Sequence, residues 1–255
     1  NYYLCNPTGN ITVLVKTPVP AGKRKNVADI IMKNEPSTEQ VGFVNGRSLN
    51  MAGGEFCGNA TLSAAALYCI ENIKNGSDII MTVSGTLEPV KVSIKKTGKN
   101  KYSGEVAMPS PLGITETELN LSGKIITVPV VNFSGISHII LTKCANKAIL
   151  ENEIVKATEK LKVACLGIMM IKNEKLTPLV YVPASETLVW ESSCASGTTA
   201  AGIYLALQNG GNFTGEFSEP GGKLKISVSK DRITNIFNAV MSGNVSISEE
   251  RQIEI

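Results

Sequence analysis

"GGEFCGNATLSAAALY", residues 53–68, is the stretch on which the reading of this chain turns. Two glycines and a cysteine lead into a run in which Leu62, Ala65, Ala66 and Cys69 recur at helical spacing, predicting a helix over 58–72 with Cys57 at its N-terminal junction. "WESSCASGTTAAGIYLA", residues 190–206, repeats the arrangement and predicts a helix over 195–208 opened by Cys194. Further helices are expected at 26–34 and 150–161. Most of the remainder reads as short strands rich in β-branched residues, among them "ITVLVK" at 11–16, "IIMTVSG" at 79–85, "LGIMMIK" at 166–172 and "LKISVS" at 224–229. Many strands around few helices make an α+β chain.

The two cysteine segments belong to two similar halves. The distance from Cys57 to Gly85 equals that from Cys194 to Gly222, and each glycine opens a strand, "SGTLEPVKVSI" and "PGGKLKISVS". A glycine-opened apolar strand also precedes each cysteine, "VGFVNG" at 41–46 and "LGIMMIK" at 166–172, with about a dozen more residues intervening in the second half. We therefore expect two pseudosymmetric domains, residues 1–115 and 116–255, with the boundary in the polar, weakly patterned "PLGITETELNLSG" and a site in the cleft between them.

Composition removes several function classes. The chain has 255 residues, enough to bury a sizeable core, and its scattered Lys and Arg leave a net charge of only +3, which disfavours nucleic acid. No apolar run approaches the roughly 20 residues that cross a bilayer and no charged leader opens the chain, so a cytoplasmic location without membrane attachment is expected. The six cysteines contain no C-x-x-C pair, and the single histidine, His138, lacks neighbours at ligand spacing, so no metal is expected. The default for any one of these cysteines is a buried small hydrophobe, which suits Cys69.

A cysteine at a helix start has different chemistry. The first N–H groups of a helix lack intrahelical partners, and together with the aligned peptide dipoles they favour a negative charge, biasing a thiol there toward thiolate. The small polar residues that follow, Gly58 and Asn59 in one half and Ser196, Gly197 and Thr198 in the other, would let a carboxylate approach the backbone. Two such cradles suit removal of an α-proton from one face of an amino acid and return to the other, with Cys57 and Cys194 as base and acid. Two thiolates in one cavity repel, so one protonated and one ionised thiol is the favoured pair.

"FCGNATLS", "SSCASGTTAA" and "EPGGKL" resemble the two cysteine motifs and the later Pro-Gly-Gly of the diaminopimelate epimerase family, amino-acid racemases and epimerases that work without pyridoxal phosphate. "NPTGNITVLV" at 6–15 is similar to that family's opening strand. The resemblance implies two pseudosymmetric domains, each a barrel-like sheet around a central helix, with catalytic Cys57 and Cys194, no cofactor, and an amino acid as partner. It also implies substrate contacts from Asn10 and from the acidic-Gln pair Glu39 and Gln40. Where the epimerases carry a Glu-Arg pair ahead of the second motif, this chain has no arginine between Arg47 and Arg232, which argues against a substrate with a second amino-acid end. "STEQVGFV", "LNMAGGEFCGNAT" and "LVWESSCASGT" are instead similar to the family's histidine racemases, implying histidine as substrate.

An imidazole would suit an acidic and aromatic surround, for which Glu39, Glu55, Glu191 and Trp190 are candidates. Glu191 is taken as a substrate contact, while Glu39 and Glu191 as surface charges and Trp190 as core are equally open readings. His138 stands where the epimerases have an Asn-Pro-His segment, but a structural histidine beside a strand is as good an account. Turnover of diaminopimelate or another amino acid, a non-catalytic amino-acid-binding protein, and a homodimer all stay open.

Overall fold

The computed structural model describes residues 1–254 and, of Ser185, the backbone alone. The chain divides into two compact units, Asn1–Ala107 with Ser242–Ile255, and Met108–Met241. A single cut between residues 115 and 116 therefore does not match the contacts, because the C-terminal strand pairs with the first strand of the chain, Cys5 opposite Ile247 and Pro7 opposite Val245.

The first unit contains β1 (Tyr2–Pro7), β2 (Thr12–Val15), α1 (Arg24–Asn34), β3 (Gln40–Asn45), β4 (Ser48–Met51), α2 (Gly58–Glu71), β5 (Gly76–Val83), β6 (Val90–Gly98) and β7 (Lys101–Met108). The second contains β8 (Gly113–Leu121), β9 (Lys124–Asn132), β10 (Ser137–Leu141), α3 (Lys147–Leu161), β11 (Leu166–Lys172), β12 (Lys175–Val182), β13 (Thr187–Trp190), α4 (Ala195–Gln208), β14 (Asn212–Glu219) and β15 (Gly222–Lys230). The last strand, β16 (Phe237–Ile247), begins in the second unit and ends in the first.

In the first unit the order β1-β2-β3-β4-β5-β6-β7-β16 closes on itself through β1 and β16, an eight-stranded barrel. Closure leaves that sheet without a free edge. In the second unit the order is β8-β9-β10-β11-β12-β14-β15-β16, with β13 folded back on β12. The internal logic repeats: β2–β3 and β10–β11 are parallel, β3–β4 and β11–β12 antiparallel, β4–β5 and β12–β14 parallel, β5–β6 and β14–β15 antiparallel. The extra residues before Cys194 form β13 and the turn leading to it.

Each repeat wraps its strands around one helix. α2 packs on β1, β2, β5 and β6, and α4 on β9, β10, β11, β14 and β15. Both helices are apolar or small on every face, with Ala60, Leu62, Ala65, Ala66 and Cys69 of α2 fully enclosed, as a helix covered on all sides requires. The amphipathic α1 and α3 cover the outside instead: Val27, Ala28 and Ile31 meet Val13, Val15, Val41 and Phe43, and Leu150, Ile154 and Ala157 meet Leu119, Val130, Ile139 and Ile168.

The stretch expected to link the halves is a strand. "GITETELNL" is β8, paired along its length with β9 through a tight turn at Ser122 (φ 57°) and Gly123 (φ 87°). Its glutamates point outward while Thr117 and Leu119 are buried, so the polar composition reflects an alternating strand with one wet face.

The loop that delivers Cys57 is fastened from β5. Ser84 Oγ accepts from Met51 N–H and donates to Glu55 C=O, both at 2.9 Å. Beside it Gly85 holds φ at +76°, and a Cβ there would collide with the Phe56 backbone nitrogen. Gly85→Ala should therefore cost about 2–5 kcal/mol in urea unfolding, from left-handed strain plus overpacking. Gly46→Ala, at φ +56° in open space, should cost only about 1 kcal/mol. Equal losses in the two variants would show that the Phe56 contact is not what fixes this loop.

Candidate active site

Cys57 and Cys194 are the N-caps of α2 and α4, in nearly the same backbone conformation: φ −130°, ψ 111° and φ −132°, ψ 103°. Each Sγ accepts from the N–H three residues on, Ala60 at 3.3 Å and Gly197 at 3.4 Å. Sulfur thus takes the place usually held by a Ser or Asp oxygen, and the helix-end donor it engages favours a negative charge. Cys57 is half-buried and Cys194 is buried.

Around Cys57, Gly58 and Asn59 begin the first turn of α2, both buried, and the Asn59 carbonyl accepts from Ser63 Oγ at 2.9 Å. The Thr61 hydroxyl donates to the Cys57 carbonyl at 2.7 Å, closing the turn. Two residues upstream, burial raises the Glu55 carboxyl above its usual range, against the lowering pull of its own and Gly53's N–H groups, and Glu55 Oε2 is buried without a hydrogen-bond partner. Asn10, Glu39 and Gln40 form a cluster in the same unit. Fully buried Asn10 donates through Nδ2 to Glu39 Oε2 at 2.8 Å, and its Oδ1 accepts from Gln40 Nε2 at 2.8 Å. Glu39 is therefore held in place by Asn10 rather than lying loose on the surface.

Around Cys194 the surroundings are more polar and more deeply enclosed. Ser196 Oγ lies 3.6 Å from Cys194 Sγ and 2.9 Å from His138 Nε2, linking thiol to imidazole. His138 on β10 is fully buried, burial lowers its pKa to about 3, and its Nδ1 has no hydrogen-bond partner, so the ring is neutral. Gly167 makes room for it, since a Cβ there would collide with Nδ1, and Gly197 likewise makes room for the Met169 sulfur. Thr198 donates to Glu219 Oε1 at 2.5 Å, and Cys194 N–H donates to Glu219 Oε2 at 2.7 Å. Burial, then the nearby Glu191 and Glu219 carboxylates, push the Cys194 thiol well above its ordinary range, opposed by Ser196. Burial also raises Glu219, to about 8, although both of its hydrogen bonds pull the other way.

In the sequence Glu219 stands only as an acid ahead of Pro-Gly-Gly; its position at the end of β14, against the start of α4, comes from the fold. His138 contacts the cysteine segment through Ser196, a link that the flank "GISHII" does not reveal. Trp190 belongs to the core reading: its Nε1 donates to Glu151 at 2.7 Å, Lys147 Nζ sits 4.4 Å from the ring centroid, and the ring packs on the α3 core. Among the described residues no cluster of three or more His, Cys, Asp or Glu could hold a metal ion, and no helix is long and apolar enough to cross a membrane.

The neutral His138 and the raised Glu219 act on stability in opposite senses. Between about pH 3 and 6.5 the folded state carries fewer protons on His138 than the unfolded state, so this stability grows with rising pH and is lost on acidification. Between 4.5 and about 8 the folded state carries more protons on Glu219, so that contribution falls as pH rises. His138→Asn should flatten the acid limb of urea unfolding, removing up to about 1.4 kcal/mol per pH unit below 6.5. Parallel stability curves for wild type and variant would sink this account of the buried ring.

The sequence of residues 1–253 matches the family described as "Histidine racemase CntK N-terminal domain". A histidine racemase from Fusobacterium nucleatum subsp. nucleatum is 35% identical over 211 residues, 78% of this chain and 79% of that protein. One from Staphylococcus aureus is 28% identical over 242 residues, 87% and 86% of the two chains. Among solved structures, a probable proline racemase from Agrobacterium radiobacter K84 superposes with a TM-score of 0.70 at 11% identity, covering 99% of this chain and 94% of that one. A predicted epimerase from Pseudomonas aeruginosa gives 0.68 at 11% identity, covering 100% and 99%. With residues 1–253 matched to the family and a relative 35% identical over 78% of this chain, the chain belongs to the histidine racemase family.

Proposed function

We propose that this protein interconverts L- and D-histidine, with Cys57 and Cys194 as the two acid/base groups of a single α-carbon. The observation that carries the reading is the repetition of one cysteine N-cap on two enclosed helices, because a lone buried cysteine needs no helix-end donor and two placed alike call for a shared role. The chemical problem is the very weak acidity of an α-proton beside a carboxylate. Backbone N–H groups at the helix starts can bind that carboxylate and stabilise the charge that spreads onto it as the proton leaves. One cysteine takes the proton as thiolate while the other delivers a proton from its thiol to the opposite face, and the roles exchange for the other enantiomer. Electron-sink chemistry from pyridoxal phosphate is not called for by this scheme.

The surroundings of Cys194 support its service as the acid. Burial and two carboxylates keep the thiol protonated, and Ser196 offers the sulfur a hydrogen bond backed by neutral His138. Asn10, Glu39 and Gln40 are proposed to meet the substrate, Glu39 supplying the charge that an imidazolium side chain would favour. Both thiols must stay reduced to work, which favours the cytoplasm as the working compartment.

The test is deuterium exchange at the α-carbon in heavy water, followed by NMR under reducing conditions, over a panel of L-amino acids that includes histidine and LL-diaminopimelate. Histidine should exchange and racemise, and Cys57→Ser and Cys194→Ser should each lose at least about 100-fold in rate. Full activity in either variant would refute the two-thiol scheme, while exchange of another amino acid in place of histidine would keep the scheme and discard the substrate. Glu39→Gln should raise KM for histidine by about 10-fold with a smaller change in kcat, as expected for a contact made equally in the ground and transition states; an unchanged KM would remove Glu39 from the substrate's surroundings.

A further inference from the structure

Cys194 shares the start of α4 with a second group that can carry its charge. Glu219, 7% exposed at the end of β14, takes the Cys194 N–H on Oε2 and the Thr198 hydroxyl on Oε1. Both carboxylate oxygens are thus occupied by donors, the pattern suited to an ionised acid. Cys194 Sγ takes the Gly197 N–H and Glu219 takes the Cys194 N–H, so a thiolate and this carboxylate would draw on one helix start and its dipole. The other groups acting on the thiol among the described residues are the Glu191 carboxylate and, through Ser196, the neutral imidazole of His138 on β10. Lys223, the nearest charge along β15, is exposed and paired with Glu216 at 2.7 Å.

We propose that Glu219 is the positioning residue of Cys194, and that the two share a single negative charge at the start of α4, so that an ionised Glu219 holds Cys194 in the thiol form from which a proton can be delivered. The first half has no counterpart: where "EPG" precedes Gly222, "TVS" precedes Gly85, and Ser84 there braces the loop instead of bringing a charge. The two cysteines, matched in backbone, are thereby made unequal before substrate arrives. Burial lifts the Glu219 carboxyl to about 8, so its charge comes and goes close to neutral pH, where it can set the state of its neighbour. Two groups that interact this strongly titrate as a pair, and removing one changes the midpoint of the other.

This inference rests on the reading of Cys194 as an acid/base group, yet its test reads ionisation directly and needs no turnover. The protein is labelled with carbon-13 at cysteine Cβ and glutamate Cδ, the signals are assigned with Cys57→Ser, Cys194→Ser and Glu219→Gln, and each is titrated from weakly acidic to alkaline pH. In wild type, Glu219 should titrate first and Cys194 above the ordinary thiol value of about 8.5. Glu219→Gln, which keeps shape and an acceptor but removes the charge, should lower the Cys194 midpoint by at least about one pH unit and leave Cys57 unmoved. The alkaline limb of kcat/KM should move down with it, which a merely structural role would not produce. An unchanged Cys194 midpoint in a folded Glu219→Gln protein overturns the proposal. Should that variant not fold, wild type decides: a Cys194 midpoint at or below the ordinary thiol value overturns it, and one above, following Glu219, supports it. Loss of racemisation with the expected midpoints would instead count against the assigned reaction.

Discussion

Everything in this molecule is arranged around a sulfur atom accepting a backbone N–H at the first turn of a fully enclosed helix. That interaction, made at 3.3 Å by Cys57 and at 3.4 Å by Cys194, fixes the thiol relative to the helix axis. It works only if the helix cannot shift, and the strands packed around α2 and α4 prevent that. Small residues are obligatory on such helices: alanine and glycine in α4 let the β14 and β15 strands approach, and a Cβ at Gly202 would press on Ile226 and Val228 at 3.0 Å. The core is thus a mount for two sulfurs, and the outer helices α1 and α3 seal it from water.

The two halves show what duplication preserves and what it releases. Strand pairing, helix placement and cysteine cap geometry are held in common. The groups touching each cysteine segment differ: a hydroxyl brace and a half-buried glutamate beside Cys57, a serine, a histidine and a hydrogen-bonded glutamate around Cys194. The proposed two-thiol scheme calls for two like cysteines with unequal readiness to ionise, and these differences supply the inequality.

Much of this could be read from residue order alone, and the failures have physical causes. The helices following Cys57 and Cys194 were legible because buried helices are written in small apolar residues and start at a cap. The equal intervals to Gly85 and Gly222 exposed the repeat because a helix and one strand of fixed size fill them, α2 with β5 and α4 with β14. β8 was missed since an alternating strand with glutamates on its wet face looks like a linker. β16 was missed because Gly243 and Asn244 interrupt its pattern, and its return to β1 has no local signature. Glu219 could not be singled out because an acid ahead of Pro-Gly-Gly reads as a turn residue; only β14 running past the start of α4 makes it a partner of Cys194. The sole tryptophan invited a role in binding, yet its indole N–H needed an acceptor and found one on α3.

The pairing of residues 5–7 with 245–247 also has a consequence for how the chain is made. β1 leaves the ribosome well before β16, so the barrel of the first unit lacks its closing strand until residue 247 has emerged. The second unit, continuous from Met108 to Met241, can collapse before that. The order of folding would then run against the order of synthesis, with the N-terminal half waiting on contacts of very long sequence separation. During that wait β1 and β7 are open edges able to pair with other chains. Loss of the segment from Ser242 onward should for the same reason do more harm to the first unit than to the second.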